Sequence, residues 1–244
     1  MRFSLIIPAF NEEKNIGPLL LNLIQLNFDK SNYEIIVQDD CSTDNTFNIA
    51  KSYEQAYKAP QIKVFKNPIN LGIAKNRNAG AMNAMNANGE ILLHLDADAW
   101  YPLNTLQIID NDFKKFNLVA LSGVLMPRIN ENPTFLDYYI FLAIFPIWHD
   151  IGGTGNLFCV KSSVFQELGG FREPMGIKGR EDLDLWYRLE NNYKEKMLID
   201  NMLITYISLR RVKQSKSNKL GDIISDYLKM VNGFWLDKGY DRVD

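Results

Sequence analysis

The sequence predicts an α/β fold in which helices flank both faces of a mostly parallel central sheet. The first observation behind this prediction is the order of the N-terminal hundred residues, where short β-branched runs alternate with helical patterns. Such an alternation is typical of parallel sheets covered by helices. The second observation is that acidic residues follow the ends of the predicted strands, where parallel α/β sheets bind their ligands.

The N-terminal elements follow one another at short intervals. Apolar β-branched runs predict four strands, in FSLIIPAF (3–10), YEIIVQDD (33–40), QIKVFKN (61–67) and EILLHLDAD (90–98). Three helices are predicted between them: one from about Asn11 with Glu12 and Glu13 in its first turn, a capped one from near Ser42, and one rich in small residues in GIAKNRNAGAMNAM (72–85).

The C-terminal elements are less regular. We predict a strand in LVALSGVLM (118–126), a strand and short helix in GTGNLFCVKSSVFQELGGF (153–171), an amphipathic helix in EDLDLWYRLENN (181–192), one or two strands in EKMLIDNMLITYIS (195–208) and a final helix in KLGDIISDYLKMVNGFWL (219–236). Because no linker or repeat interrupts the chain, we predict a single domain over 1–244. It divides loosely into a nucleotide-binding half (about 1–100), an acceptor and catalytic half (about 101–211) and a C-terminal helix (about 212–244).

Composition narrows the classes of partner. The formal net charge of -2 gives no general attraction for nucleic acid, so we expect no nucleic-acid partner. The opening residues lack a signal peptide and the two cysteines lack metal-type spacing, which predicts a cytoplasmic protein. The apolar run YYIFLAIFPIWH (138–149) is too short to span a bilayer. It suits a core helix, a loop over the substrate or peripheral contact with a membrane.

Two acidic pairs are the candidate ligand-binding residues. Asp96 and Asp98 point the same way if the strand stays extended, and paired carboxylates suit Mg²⁺ or Mn²⁺. The alternative is that one of them caps the helix predicted in 102–113. Asp39 and Asp40 likewise either belong to a turn and N-cap cluster, DDCSTDNT (39–46), that leads into the next helix, or accept hydrogen bonds from a nucleotide base or ribose.

Two common phosphate-binding motifs are missing. No G-x-G-x-x-G follows the first strand, and no G-x-x-x-x-G-K-[ST] occurs, which argues against nicotinamide dehydrogenases and P-loop enzymes. A bound phosphate would then be neutralised by a metal and by the side chains of Lys75, Arg77, Arg210 or Arg211.

Six motifs together resemble one family. They are SLIIPAFNEEKNI (4–16), YEIIVQDDCSTDNT (33–46), NLGIAKNRNAG (70–80), GEILLHLDAD (89–98), GTGNLFCVKSSVFQELGGF (153–171) and GREDLDLWYRL (179–189). Their order and spacing resemble the family 2 glycosyltransferases, which have the glycosyltransferase-A (nucleotide-diphospho-sugar transferase) fold. The resemblance implies transfer of a sugar from a UDP- or GDP-linked donor to an acceptor hydroxyl, with inversion, in cell-surface polysaccharide or glycolipid synthesis.

The resemblance also implies residue roles. The donor-binding residues would be Pro8, Ala9, Phe10, Glu12, Asp39, Asp40, Lys75, Arg77, Asp96, Arg210 and Arg211. Asp96 and Asp98 would hold Mn²⁺ or Mg²⁺, and Asp182 would be the catalytic base. The acceptor side would be formed by Gly153, Thr154, Gly155, Asn156 and Glu181.

The helix that begins near Asp182 supports the assignment of the base. Asp182 opens an apolar stripe formed by Leu185, Trp186 and Leu189. Desolvation there would raise its proton affinity, as a general base requires. Glu181 shares a more solvated, ion-paired face with Asp184 and Arg188. The alternative is that Asp182 merely caps the helix.

One departure from the family concerns the metal. Many relatives place a histidine after the last strand, but the two histidines here are His94 and His149, and the corresponding stretch contains Arg210 and Arg211. These arginines either bind diphosphate directly, lessening the need for a metal, or are solvated basic residues. His94, in the middle of a strand, is predicted to be a core residue with its hydrogen bonds satisfied.

Other functions stay open from the sequence alone. The acceptor is either a saccharide or a lipid-linked group, as in a polyprenyl-phosphate glycosyltransferase of the dolichyl-phosphate mannose synthase type. A nucleotidyltransferase would need a glycine-rich, basic first loop, which PAFNEEKNIG (8–17) lacks. The presence of both Asp96-Ala97-Asp98 and the Glu181-Asp182 pair argues against a non-catalytic sugar-nucleotide-binding module.

Overall fold

The structure is a computed structural model that describes residues 1–135, 138, 156–173 and 181–208. Its strands are β1 (Phe3–Ala9), β2 (Tyr33–Asp39), β3 (Gln61–Lys66), β4 (Ile91–Leu95), β5 (Ala99–Trp100), β6 (Ala120–Pro127), β7 (Leu157–Lys161) and β8 (Met197–Ile207). Its helices are α1 (Ile16–Ile24), α2 (Thr46–Ala56), α3 (Ile73–Asn86), α4 (Thr105–Phe116), α5 (Ser162–Glu167) and α6 (Glu181–Tyr193).

The strands form one mixed sheet in the order β3-β2-β1-β4-β7-β6-β8-β5. The neighbours β3, β2, β1 and β4 run parallel, as does the pair β6–β8. Strand β7 is antiparallel to both β4 and β6, and β5 is antiparallel to β8. The predicted fold, a mostly parallel sheet between helices, is confirmed, and the carboxyl ends of β1, β2 and β4 lie at one edge.

Two apolar clusters cover the two faces of the sheet. Successive strand residues point to opposite faces, so Leu5 and Ile7 pack on one side and Ile6 on the other. The first cluster takes its helical residues from α1, α2 and α4, and the second takes them from α3, α5 and α6. The helices that carry the predicted functional residues, α3 and α6, therefore share the second face.

The first two helices start later than predicted. Helix α1 begins at Ile16 rather than near Asn11, because Asn11 has a φ of 55°, which is left-handed and cannot continue a helix. Helix α2 begins at Thr46 rather than near Ser42. The Ser42 hydroxyl accepts a hydrogen bond from the backbone of Asn11 instead of capping its own helix.

The chain turns immediately after β4. Strand β4 ends at Leu95, and the amide of Ala99 donates to the carbonyl of Asp96 at 3.3 Å. The premise that an extended chain aligns Asp96 with Asp98 is therefore wrong. Helix α4 begins only at Thr105, so neither aspartate caps it, and that alternative is also wrong. The short β5 was not predicted. Residues 197–207 form a single strand, the first of the two arrangements predicted there.

Some predictions lie outside the described residues. They concern Gly153, Thr154, Gly155, His149, Arg210, Arg211, the apolar run after Tyr138 and the final helix. Among the residues that are described, no helix is long and apolar enough to cross a membrane.

His94 is buried in the second cluster between two aromatic rings. Its imidazole stacks on Phe165 at 5.5 Å and meets the edge of Phe171 at 4.6 Å, between ring centres. Neither ring nitrogen has a hydrogen-bond partner within the described part of the chain. The core position is confirmed, but the prediction of satisfied hydrogen bonds is wrong. Burial lowers the pKa of His94 well below its usual value, which keeps the ring neutral.

Gly80 lets α3 approach β1 closely, and its replacement tests this packing. A Cβ at Gly80 would lie 2.5 Å from Cγ2 of Ile6, a stiff β-branched side chain. We expect Gly80→Ala to lower the free energy of unfolding by about 1–3 kcal/mol, measured by urea denaturation. The matched control is Gly17→Ala in α1, where the nearest atom would be 3.5 Å away and no loss is expected. Equal stability of the two variants would contradict this account.

Candidate active site

Two loops at the carboxyl edge of the sheet are tied together by hydrogen bonds that run in both directions. The amides of Asn11 and Glu12 donate to the hydroxyls of Ser42 and Thr46, at 2.9 and 2.7 Å. In return, the amide of Thr43 donates to the Asn11 side chain at 2.9 Å. The loop after β1 and the loop after β2 therefore form one connected surface.

The predicted donor residues of the first loop lie on this surface or just beneath it. Pro8 and Ala9 are buried at the end of β1, whereas Phe10 is 47% exposed. Glu12 accepts a hydrogen bond from the Asn15 side chain at 2.6 Å. Phe10 thus offers an exposed ring at the strand end where a nucleotide is expected.

Asp40 is buried and organises the loop between β3 and α3. Its carboxylate accepts hydrogen bonds from the Asn67 side chain and from the amides of Leu71 and Gly72, at 2.8 to 2.9 Å. Gly72 has a φ of 82°, a left-handed conformation that favours glycine. Asp40 therefore does not cap α2, as one alternative proposed. It fixes a third loop at the same edge.

Asp39 lies deeper than Asp40. Its side chain is fully buried, and Oδ2 accepts a hydrogen bond from the Ser42 amide at 3.1 Å. The Lys66 ammonium approaches the same oxygen at 3.6 Å. These contacts fit the turn-forming alternative for Asp39, and direct contact with a donor stays a prediction.

The two basic residues of α3 point in different directions. Lys75 is exposed, whereas Arg77 is only 3% exposed. The Arg77 guanidinium lies 2.8 Å from Asp96 and 3.4 Å from Glu181. Burial alone would lower the pKa of Arg77, but the charges of Asp96, Glu181 and Asp182 raise it, so the guanidinium stays charged. Arg77 thus joins the end of β4 to the start of α6.

The burial of the two acidic residues that open α6 is the reverse of the prediction. Glu181 is 4% exposed, and burial raises the pKa of its carboxyl, although the charge of Arg77 opposes the rise. Asp182 is only half-buried, and its Oδ1 accepts the amide of Leu183 at 2.9 Å. Helix spacing predicted that Asp182 would be the more buried of the two. It did not take into account the contact of Glu181 with the buried Arg77. Asp182 is left at the boundary with solvent.

The sequence between residues 4 and 170 matches the model of the Glycosyl transferase family 2. The chain belongs to this family. The match takes in both acidic strand ends and Arg77, and it confirms the family that the motifs resemble.

Curated relatives match parts of longer proteins. The chain is 35% identical over 129 residues to the poly(ribitol-phosphate) beta-N-acetylglucosaminyltransferase TarS of Staphylococcus aureus, a match covering 51% of this chain and 22% of that protein. It is 33% identical over 191 residues to a poly(ribitol-phosphate) beta-glucosyltransferase of Bacillus spizizenii, covering 75% of this chain and 28% of the relative. The chain therefore spans well under half of these relatives.

Solved structures show the same fold. A mannosyltransferase from Pyrobaculum calidifontis in complex with GDP-Man and Mn²⁺ superposes with a TM-score of 0.68 at 23% identity, covering 84% of this chain and 56% of that one. The S. aureus TarS 1–349 complex with UDP has a TM-score of 0.66 at 22% identity, covering 85% and 60%. At this level of identity the likeness establishes the glycosyltransferase-A fold.

The acidic motif of this family-2 chain offers a partial set of metal ligands. Asp96 and Asp98 are both half-buried. Among the described residues, no three His, Cys, Asp or Glu side chains are grouped so as to hold a metal ion. Mg²⁺ and Mn²⁺ are commonly held by one or two carboxylates, with substrate phosphate and water filling the remaining positions. Because the chain turns after Asp96 and its carboxylate contacts Arg77, the assignment of Asp96 and Asp98 as ligands of such a cation stays a prediction.

Tyr101 is a positioning residue that sequence reasoning missed. It is fully buried, its hydroxyl accepts the Asp96 amide at 3.1 Å, and it donates to the carbonyl of Asn156 at 2.6 Å. The backbone of Tyr101 also pairs with the Asn22 side chain in both directions, at 2.9 Å. Tyr101 therefore connects the acidic motif to Asn156, the described member of the predicted acceptor loop. A tyrosine after an acidic motif gives no sequence signal for this role.

Replacing Tyr101 with phenylalanine tests the connection. Tyr101→Phe leaves a buried amide and a buried carbonyl unpaired, so we expect a loss of about 1–3 kcal/mol in the free energy of unfolding. If Asp96 is misplaced as a result, sugar transfer should fall about tenfold to a hundredfold in kcat/KM.

The matched control is Tyr33→Phe, which removes a buried hydroxyl that donates to Leu23 at 2.9 Å, away from the acidic motif. We expect a similar loss of stability with unchanged kcat/KM. Equal kinetic effects in the two variants would show that Tyr101 acts through stability alone.

Proposed function

We propose that the protein is an inverting glycosyltransferase that moves a sugar from a nucleotide-diphosphate donor to an acceptor hydroxyl. The observation that carries this proposal is the contact of Arg77 with both Asp96 and Glu181. That contact supports the proposal because it joins Asp96, expected at the donor diphosphate, to the start of α6, which carries Asp182, the expected base. A binding module would not require this convergence.

The donor would bind across the three connected loops. Phe10 and the loop fixed by Asp40 would contact the nucleoside, and Lys75, on the exposed side of α3, would meet the phosphates. Asp96 and Asp98 would hold Mn²⁺ or Mg²⁺. Such a cation stabilises the charge that develops on a departing diphosphate. Arg77 would hold Asp96 in place from the interior.

Asp182 would act as the general base. Its half-buried carboxylate would accept the proton of the acceptor hydroxyl as that oxygen attacks the anomeric carbon. The nucleoside diphosphate would leave from the opposite side, which inverts the anomeric centre. Glu181, whose buried carboxyl lies 3.4 Å from Arg77, would position the start of α6 through that contact rather than take the proton itself.

The acceptor would carry phosphate, either in a polyol chain or in a lipid. Relatives named for poly(ribitol-phosphate) and for dolichyl phosphate favour this class. A polyprenyl-phosphate acceptor is the second candidate. The strongly exposed side chains of Ile129 and Phe135, which lead towards the apolar run 138–149, favour it.

Donor binding tests the proposal directly. We expect one UDP- or GDP-linked sugar to raise the melting temperature by about 5–10 °C at a hundredfold excess over Kd, with a larger shift when Mn²⁺ is present. Asp98→Asn should abolish the additional rise in melting temperature that depends on Mn²⁺. Asp29→Asn, in the exposed turn that enters β2, is the control and should keep it. No shift with any donor would refute the proposed function.

The base is tested separately. Asp182→Asn should reduce kcat by about 10²–10⁴-fold while donor affinity stays within twofold, because the amide cannot take the proton. Glu190→Gln, at an exposed position of the same helix, should leave turnover unchanged. Normal turnover in Asp182→Asn would exclude Asp182 as the base.

A further inference from the structure

A pocket of about 470 Å³ lies beside the acidic motif, and none of the predicted donor-binding residues lines it. Its walls come from α1, β5, β8 and the segment after β6, and they include Leu19, Ala99, Trp100, Arg128, Ile129 and Tyr206. The volume falls within the range of small-molecule sites, about 300–1,000 Å³. Because Ala99 follows Asp98 directly, the pocket begins one residue beyond the proposed metal ligands.

Arg128 is the only charged side chain among the described residues that line the pocket. Its Nε is buried and has no hydrogen-bond partner, and within the described ranges no carboxylate forms an ion pair with its guanidinium. A buried polar group without a partner is costly, so such groups are normally satisfied by a neighbour, water or ligand. The backbone fixes the base of this side chain, because the Arg128 amide donates to Ile207 at 3.0 Å.

The remaining walls are aromatic and aliphatic. Trp100 is 41% exposed, and its ring meets the edge of Tyr206 at 5.6 Å between ring centres. The pairing of β5 with β8 fixes both residues, since Trp100 lies directly opposite Tyr206 in the ladder. Ile129 is 69% exposed at the rim. A ligand that fits has an apolar face for the rings and an anionic group for the guanidinium.

We propose that this pocket is the acceptor subsite, and that it binds a phosphorylated saccharide or polyol with its phosphate on Arg128 and its carbon skeleton against Trp100 and Tyr206. The positive charge of the Arg128 guanidinium favours an anion over a neutral sugar. Ala99 in the pocket wall follows Asp98 directly, so an acceptor held here would lie near the metal ligands expected for the donor diphosphate. The identification of the bound ligand as the acceptor rests on the proposed function. The binding itself can be measured without turnover.

The test is calorimetric binding of ribitol 5-phosphate to the full chain, with UDP and Mn²⁺ present to fill the donor site. We expect wild-type protein to bind ribitol 5-phosphate with an affinity that falls as salt rises, and to bind ribitol at least tenfold more weakly. Arg128→Met, which keeps the aliphatic stem, should weaken ribitol 5-phosphate binding tenfold or more. Trp100→Ala should weaken ribitol 5-phosphate more than inorganic phosphate.

The control variant is Lys115→Gln, which removes one positive charge from an exposed position near the end of α4 and should leave the affinity unchanged. Wild-type binding that is absent or insensitive to salt would overturn the subsite, as would equal affinities in wild type and Arg128→Met. If the protein bound farnesyl phosphate but not ribitol 5-phosphate, the ligand would be a lipid phosphate, and the proposed polyol-phosphate subsite would also be overturned. Loss of UDP binding in Arg128→Met would assign the arginine to the donor site instead.

Failure of this inference is distinguishable from failure of the proposed function. If UDP does not bind wild-type protein at all, the proposed function fails. If UDP binds and ribitol 5-phosphate does not, only the acceptor subsite is wrong.

Discussion

The buried guanidinium of Arg77 is the interaction on which the candidate site depends. It stands between Asp96, at the end of β4, and Glu181, at the start of α6, which are 85 residues apart in the chain. Removing one member of a buried ion-pair network commonly costs about 3–5 kcal/mol, because the remaining charges lose their partner away from water. The positions of the Asp96 and Glu181 carboxylates therefore depend on the positive charge of Arg77, a side chain that is buried inside the protein.

Small residues on α3 make this placement possible. The buried Ala74, Gly80, Ala81 and Ala84 allow the helix to approach the sheet closely. Arg77 lies on the same helix and reaches the strand ends from below. Tyr101 holds the other side of the acidic motif through the Asp96 amide. Two buried side chains, one charged and one neutral, thus fix the motif from opposite directions.

The sequence was enough to predict the fold class, the family and the order of most elements. The periodicity of apolar residues and the acidic residues at the ends of strands are both local features of the sequence. It misplaced the start of α1 because Asn11 adopts a left-handed conformation, and that of α2 because the Ser42 hydroxyl bonds to the loop after β1 instead of capping its own helix. It also reversed the burial of Glu181 and Asp182. Helical spacing cannot reveal that a buried arginine from α3 attracts one of two adjacent carboxylates. The role of Tyr101 and the pocket at Arg128 were not predicted for the same reason, because only tertiary contacts bring the residues involved together.

The hydrogen bonds between the first two loops have a consequence for protein engineering. Each loop supplies side chains that satisfy backbone amides of the other, so replacing one loop alone would leave amides of the second without these partners. A change of donor preference by loop grafting would have to move residues 10–13 and 42–46 as one unit. The same interdependence means that natural variation at Asn11 and at Ser42 should be correlated across the family.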